Sequence, residues 1–205
     1  PFRDPARTNC LQSMGEIFSS AFQVMVVLTP FCSDLIQDIR CTGTVNRTDL
    51  LALENEDWVN RAWTYQEAVN SRSMYFIVEG NRDVMLSALD FLRSIVDAIS
   101  EHKEMHNLDR NDWVHHHPSL NNLEMLLADY MIADFAERSA YQVMSVMGQR
   151  VAERPEDYFY AMIGSITTKS SDFSASGVIS PSEYFMRVCE AKGDFSFIFS
   201  TAPRS

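Results

Sequence analysis

The sequence has few cysteines, glycines and prolines, and each shortage narrows the class of protein. Four cysteines in 205 residues, with no CxxC pair, are too sparse for a disulfide-stabilised scaffold, so we expect reduced thiols. Seven glycines and seven prolines, beside 46% hydrophobic residues, argue against a disordered or fibrous chain. The chain is long enough to bury a sizeable core as a globular protein.

Positive charge and long apolar runs are also scarce. Lysine and arginine total 17 against 28 aspartates and glutamates, and the net charge of -11 repels phosphate backbones and anionic lipids. Nucleic acid is therefore not an expected partner, although local arginines can still hold a small anion. No apolar run approaches the roughly 18 residues of a membrane span, and nothing resembles a signal peptide. We expect a cytoplasmic protein without membrane contact.

The order of apolar segments in the first 80 residues predicts an α/β sheet. Residues 5–21 have the apolar spacing of a helix, and Phe22 to Leu28 form an apolar, β-branched run typical of a strand buried on both faces. Residues 31–53 are mixed, which predicts irregular structure or a short helix. A helix over 57–72 and a strand over 74–78 follow. Strand, helix and strand in this order predict a parallel βαβ unit flanked by helices.

From residue 84 onward the pattern predicts mostly helices. Residues 102–118 are polar and rich in histidine, which predicts a surface loop or insertion. Ser- and Thr-rich residues 167–177 predict a linker, and Phe195 to Phe199 predict a strand. The expected helices are 84–99, 120–135, 140–147, 157–166 and 181–192, the last capped by Ser180 and ended by Gly193.

Three segments, in order along the chain, resemble the motifs of one known family. Met14 to Ala21 (MGEIFSSA) with the strand after it, Trp58 to Glu67 (WVNRAWTYQE) and Pro155 to Gly164 (PEDYFYAMIG) are similar to its helix-and-strand, W-x-x-R-x-W-T-x-Q-E and P-x-D-x-x-Y-A-x-x-G patterns. The family is the fungal heterokaryon incompatibility (HET) domain, and the resemblance covers most of the chain. The family's earlier W-I-D-A-x-C-I-N-Q segment is not among these 205 residues, so we expect the first strands of the sheet to precede Pro1.

The resemblance implies a TIR-like or Rossmann-like parallel sheet flanked by helices, incomplete at its N-terminus, with a helical C-terminal part. We expect residues 1–166 to form the HET-like domain, with a polar insertion near 102–118. Residues 167–205 are expected to form an appendage of linker, helix and strand. HET domains act in fungal nonself recognition and regulated cell death. The resemblance therefore implies an effector that self-associates or binds another incompatibility protein.

The resemblance also implies a site on the predicted helix 57–72. HET domains are regarded as distant relatives of TIR domains, some of which cleave NAD with a glutamate in a W-x-x-x-E segment. Trp63 to Glu67 resembles that segment. Helical spacing places these two residues on one face with Asn60, Thr64 and Ser71.

A carboxylate suits this reaction because cleavage of the bond between nicotinamide and ribose develops positive charge on the ribose. Glu67 is the expected catalytic residue. Trp63 or Tyr65 offers a stacking surface, Arg61 a phosphate partner and Thr64 a further contact with NAD. NAD is the expected substrate, and no cofactor is implied.

Other interpretations of the same residues stay open. Trp58 and Trp63 have the character of core anchors, and Glu67 can pair inside a protein, so the segment also fits a structural role or binding without turnover. The alternative functions are a non-catalytic signalling module that self-associates through its sheet edge and helices, and an unrelated Rossmann-like domain in which W-T-x-Q-E is a coincidence.

Two further groups of residues suggest chemistry more weakly. His102 and His106 have the i, i+4 spacing of a zinc-binding helix, but there is no HExxH motif and the polar surroundings favour a solvated loop. Cys32 follows the end of the first strand, where a nucleophile can lie, but no histidine neighbours it in the sequence. We therefore expect neither a metal site nor a cysteine nucleophile.

Overall fold

The computed structural model describes residues 5–131, 138–167 and 180–199. These residues are mostly helical and contain one three-stranded sheet, which confirms an α/β class in the broad sense. The strands are β1 (Val24–Leu28), β2 (Met74–Val78) and β3 (Asn81–Ser87). The helices are α1 (Pro5–Ser20), α2 (Ser33–Thr42), α3 (Arg47–Ala52), α4 (Asp57–Asn60), α5 (Ala62–Asn70), α6 (Ala88–His106), α7 (Arg110–His116), α8 (Pro118–Met131), α9 (Ala140–Met147), α10 (Pro155–Ile166) and α11 (Pro181–Lys192).

The chain divides into two compact units. The helical unit comprises Pro1–Ala21, Ala62–Ser71 and Ile132–Ser205, and the sheet unit comprises Phe22–Arg61 and Arg72–Met131. The expected boundary near residue 166 does not separate these units, because α11 packs against α10 within the helical unit. Most of the expected linker, 168–177, and the end of the predicted helix 120–135 lie outside the described residues. None of the helices described combines the length and apolarity that crossing a membrane requires.

The sheet has the strand order β1-β2-β3. β1 pairs with β2 in parallel, with Val24 opposite Met74, which confirms the parallel pair expected from the βαβ pattern. β2 pairs with β3 antiparallel through a two-residue turn, in which Gly80 has a φ of 80°. Residues 84–87, predicted as helix, instead complete β3, so that prediction was wrong. Ser87 then caps α6 by accepting a hydrogen bond from the Asp90 N–H.

One face of the sheet carries the core of the sheet unit. Val26, Leu28 and Phe76 are buried on that face, and the Phe76 ring stacks on Phe91 of α6 at 4.0 Å between centroids. Trp58 meets the same ring edge-on at 5.1 Å. The prediction that β1 is buried on both faces was wrong, because its alternate side chains are about half exposed. Burial therefore follows the period-two alternation of a half-covered sheet.

Two further segments are largely helical: residues 31–53, predicted as irregular structure or a short helix, and residues 102–118, predicted as a surface loop or insertion. In place of the mixed 31–53 segment, α2 buries an amphipathic face and ends at Gly43, whose φ of 73° suits a left-handed helix cap. Asn46 then caps α3 by accepting a hydrogen bond from the Asp49 N–H. In place of the polar 102–118 loop, α6 continues to His106 and α7 buries Trp113 completely. Conversely, the predicted strand 195–199 was wrong, because Ser196–Phe199 is a short 3-10 helix.

The helical unit is built where α1, α5 and α10 meet. A Cβ atom added to Gly15 of α1 would lie 2.6 Å from the Gly164 carbonyl oxygen and 2.9 Å from the Gly164 Cα. A Cβ added to Gly164 would lie 1.8 Å from Oε1 of Gln66, a fully buried side chain of α5. α1 and α10 can approach this closely because neither Gly15 nor Gly164 has a side chain. Gly15, Gln66 and Gly164 each belong to a different one of the three HET-like motifs.

Hydrogen bonds fix the same junction. Asn70 Nδ2 donates to the Gly164 carbonyl at 2.6 Å, and its Oδ1 accepts from Arg138 Nη1 at 3.0 Å. Arg138, itself 1% exposed, also donates to the carbonyls of Val69 and Ser165. A buried guanidinium is tolerated when its donors find carbonyl acceptors, and breaking such a set leaves a charge in the interior.

From this close helix contact we expect two glycine substitutions to change the free energy of unfolding by different amounts. Gly164→Ala should lower the free energy of unfolding by about 1–3 kcal/mol, since its methyl group would overlap the buried Gln66 side chain. Gly148→Ala is the matched control. Gly148 has ordinary helical φ and ψ values, and a Cβ atom added to it would lie 3.8 Å from the nearest neighbouring atom, the Met144 carbonyl oxygen. Its substitution should therefore be nearly neutral.

Urea unfolding followed by circular dichroism measures both variants. The double variant Gly164→Ala with Gln66→Ala should recover part of the loss, because the truncated side chain no longer overlaps the methyl group. Equal losses from Gly164→Ala and Gly148→Ala would contradict the close helix contact.

Candidate functional site

The expected site segment is interrupted at Arg61. α4 ends at Asn60, Arg61 is extended with φ −73° and ψ 138°, and α5 begins at Ala62, whose N–H donates to the Val151 carbonyl at 2.8 Å. The prediction of one helix over 57–72 was therefore wrong. Asn60 does not continue the helical face of α5, and its amide donates instead to the Glu54 carbonyl. Asn60 therefore does not share a helical face with Trp63 and Glu67.

Most side chains of α5 are buried. Seven of its nine residues are buried: Ala62, Thr64, Tyr65, Gln66, Ala68, Val69 and Asn70. The other two, Trp63 and Glu67, are half-buried and lie four residues apart, so they are neighbours on one stripe of the helix. Ser71, just after the helix, donates its hydroxyl hydrogen to the Glu67 carbonyl. The structure thus places the two residues of the W-x-x-x-E segment side by side, within reach of solvent.

Thr64 faces the interior of the helical unit. Its side chain is 2% exposed, and its Oγ1 accepts a hydrogen bond from Arg150 Nη1 at 3.1 Å. The same guanidinium lies over the Tyr65 ring, with its central carbon 5.5 Å from the ring centroid. Thr64 therefore has little surface left for a ligand, and its expected contact with NAD is replaced by a contact that positions α5.

Arg61 is exposed and belongs to the sheet unit. Its role as a phosphate partner stays a prediction. No local sequence motif predicts the two buried arginines, Arg138 and Arg150. Both lie in segments that touch α5 only after folding, so sequence spacing carries no signal for these contacts.

A buried carboxylate lies beside the C-terminal end of β1. Glu56 is 3% exposed, and its Oε2 accepts hydrogen bonds from the Thr29 hydroxyl at 2.7 Å and the Thr29 N–H at 3.2 Å. The Cys32 thiol donates to the same oxygen at 3.6 Å. Burial, followed by the Glu56 charge, raises the pKa of the Cys32 thiol to about 12. Because the thiolate is the nucleophilic form, Cys32 is not equipped for attack at neutral pH.

Two of the histidines, His102 and His117, pack against Trp113, whereas His106, His115 and His116 are exposed. His102, 8% exposed, has His106 at 4.5 Å and His117 at 5.8 Å between ring centroids, and the buried Trp113 ring lies 4.5 Å from His117. His117 Nδ1 lies 3.4 Å from a carboxylate oxygen of Glu54. Within the ranges that the structure describes, no group of His, Cys, Asp or Glu side chains has the arrangement of a metal site.

Comparisons with known proteins leave the family open. No protein-family model matches the chain, no curated protein matches its sequence, and no solved structure matches its fold. The HET-domain resemblance therefore rests on the motifs described above.

Thiol accessibility provides a direct check of the site at β1. Cys10 and Cys41 are exposed, whereas Cys32 and Cys189 are buried, and burial also raises the pKa of Cys189 to about 12. Ellman's reagent at pH 8 should label two thiols of the native protein quickly and the other two after unfolding in guanidinium. A Cys10→Ser, Cys41→Ser variant should show no fast phase. Fast labelling of Cys32 in that variant would disprove the buried thiol–carboxylate contact.

The histidine group predicts an acid-sensitive fold. Burial, then His106, Arg47 and His117, lowers the pKa of His102 below 6.5 in the folded protein. As pH falls through about 6.5 the unfolded chain takes up a proton that folded His102 resists, so the free energy of unfolding decreases. The Lys103 ammonium, which pairs with Glu124 at 2.6 Å, lies 5.0 Å from the centroid of the neighbouring Trp113 ring.

Urea unfolding between pH 7.5 and 5.0 measures this decrease in the free energy of unfolding. His102→Gln should reduce the pH dependence relative to the parent protein, whereas His115→Gln, which changes an exposed residue of α7, should leave it unchanged. A His102→Gln variant with the parent's full pH dependence would exclude His102 as the cause.

Proposed function

We propose that this chain is part of a HET-domain effector of fungal nonself recognition, which acts in the cytoplasm and triggers regulated cell death by cleaving NAD. The observation that carries the proposal is the pairing of Trp63 and Glu67 on the accessible stripe of α5, inside a segment that resembles the W-x-x-x-E segment of NAD-cleaving TIR domains. A TIR-like or Rossmann-like sheet remains part of the proposal. It is supported by the parallel β1–β2 pair.

The proposed reaction is hydrolysis of the bond between ribose C1′ and the nicotinamide nitrogen. That bond breaks with its electron pair moving to the pyridinium ring, so nicotinamide leaves as a neutral molecule and needs no proton. Glu67 stabilises the positive charge that develops on the ribose. Water then forms the new C1′–O bond and releases its proton to solvent, giving ADP-ribose, nicotinamide and one proton. One carboxylate is therefore sufficient.

Trp63 has the complementary role of binding. Its indole lies one helical turn before Glu67, so a flat ring that stacks on it brings the attached sugar near the carboxylate. Arg61 supplies positive charge for a phosphate in this proposal. NAD is the substrate, and nucleic acid is not a partner, since the chain carries a net charge of -11.

A second candidate is a non-catalytic signalling module that self-associates or binds another incompatibility protein. The observation that favours it is the structural use of the W-T-x-Q-E segment. Thr64 accepts a hydrogen bond from Arg150, and Gln66 fills the space beside Gly164. In this interpretation the segment serves to hold the helical unit together. Glu67 then has no chemical role.

Incubation of the full-length protein with NAD separates the two candidates. Chromatography should detect nicotinamide and ADP-ribose in equal amounts, and Glu67→Gln, which keeps the shape of the side chain, should reduce the rate by about 100-fold or more. Trp63→Ala should mainly raise KM. Glu79→Gln, in the exposed turn between β2 and β3, is the control and should retain full activity.

Thermal unfolding of each variant confirms that lost activity does not reflect lost structure. If the parent protein releases no nicotinamide, or if folded Glu67→Gln is as active as the parent, NAD cleavage at Glu67 is excluded and the non-catalytic candidate remains.

A further inference from the structure

A cleft lies between α6, α7 and α8 of the sheet unit. Its volume is about 340 Å³, within the range of roughly 300–1,000 Å³ that is typical of sites for small molecules. The residues that line it are Lys103, Arg110, Asn121, Glu124 and Met125. The lining includes none of the residues of the proposed NAD site. A ligand in this cleft therefore belongs to a function beyond the proposed reaction.

A buried carboxamide lines this cleft. Asn121 is 6% exposed, and its Nδ2 donates only to the thioether sulfur of Met125, at 3.5 Å. Its Oδ1 accepts no hydrogen bond from any residue that the structure describes. Because a carbonyl oxygen has two lone pairs and sulfur is a weak acceptor, most of the hydrogen-bonding capacity of this amide is unused. Leaving a buried polar group unsatisfied costs free energy, so Asn121 points to a ligand that donates hydrogen bonds.

The charged groups of the cleft differ in whether they have partners. Lys103 Nζ lies 2.6 Å from Glu124 Oε2 and 5.0 Å from the centroid of the Trp113 ring, so this ammonium is already neutralised. The other carboxylate oxygen of Glu124 accepts no hydrogen bond within the described part of the chain. Arg110 is exposed, and its guanidinium forms neither a hydrogen bond nor an ion pair with a described residue. The cleft thus retains one free cation and one free carboxylate oxygen.

These free groups fit a zwitterion better than a simple ion. A carboxylate alone would bind Arg110, but it would leave Asn121 Oδ1 without a donor and would be repelled by Glu124. An amine alone would leave the Arg110 guanidinium free. An α-amino acid carries both charges on one carbon atom. Its carboxylate matches the fork of a guanidinium, and its ammonium has three N–H donors for two acceptors in the cleft.

We propose that this cleft binds a free α-amino acid with an aliphatic side chain of about the size of leucine. The carboxylate accepts hydrogen bonds from Arg110, and the ammonium donates to the free oxygen of Glu124 and to Asn121 Oδ1. The apolar side chain packs against Met125, whose flexible thioether adapts to irregular shapes. The Lys103–Glu124 ion pair stays intact and holds the Glu124 carboxylate in place.

Isothermal titration calorimetry of the full-length protein tests the class of ligand. L-Leucine should bind with a Kd between about 10 μM and 1 mM, the range expected for so small a ligand. 4-Methylpentanoate lacks the ammonium and 3-methylbutylamine lacks the carboxylate, so each should bind about 10-fold or more weakly through loss of a charge-assisted contact. Either analogue binding as tightly as L-leucine would overturn the assignment of a zwitterion.

Two variants test the residues that hold the ligand. Arg110→Gln removes the guanidinium from an exposed position and should weaken L-leucine binding about 10-fold or more. Asn121→Leu keeps the approximate size of the side chain but removes the amide, and it should also weaken binding. Arg93→Gln is the matched control, since Arg93 is an exposed arginine of the same unit that does not line this cleft. This variant should bind L-leucine like the parent protein.

Circular dichroism shows whether each variant is folded, and Arg110→Gln alone decides if Asn121→Leu does not fold. An unchanged Kd for folded Arg110→Gln would overturn the inference. So would a parent protein that shows no saturable binding of L-leucine up to about 10 mM. These titrations contain no NAD, so their outcome is independent of whether the protein cleaves NAD.

Discussion

The close approach of α1 and α10 is the contact on which the helical unit depends. Gly15 and Gly164 bring two helix backbones together because neither residue has a side chain to hold them apart. The space beside them is shaped for the Gln66 side chain of α5, and the Asn70 amide ties α5 to the Gly164 carbonyl. Three stretches that are far apart in the sequence are thus joined at one point. A methyl group there would displace all three helices.

That junction limits where chemistry can take place on α5. A helix of nine residues with seven buried has one stripe left, and the stripe consists of Trp63 and Glu67. The polar side chains between them are oriented inward, where Thr64 accepts a hydrogen bond from Arg150. The buried residues of the segment therefore fix the helix, and Trp63 and Glu67 are its two partly exposed residues.

Buried charged and polar groups in both units are held by hydrogen bonds to specific partners. Arg138 donates to main-chain carbonyls at the end of α5 and to the Asn70 side chain, which compensates for its removal from water. In the sheet unit, Glu56 accepts hydrogen bonds from Thr29 and Cys32 at the end of β1. A carboxylate beside a buried thiol makes the thiolate unfavourable, so this pair stabilises the strand end and does not create a nucleophile.

Local sequence signals determined the elements whose ends are marked by capping residues or by an unbroken apolar run. α11 begins after Ser180 and ends at Gly193 as predicted, because a hydroxyl cap and a left-handed glycine act within one turn of chain. β1 and its parallel partner β2 were also predicted from their composition. The tertiary structure alone decided that α5 is separated from α4 at Arg61, that residues 84–87 pair with β2, and that Trp113 is buried in a polar stretch. It also decided which members of the W-T-x-Q-E segment are accessible. These outcomes depend on contacts with residues distant in sequence, and side-chain spacing within a segment carries no information about such partners.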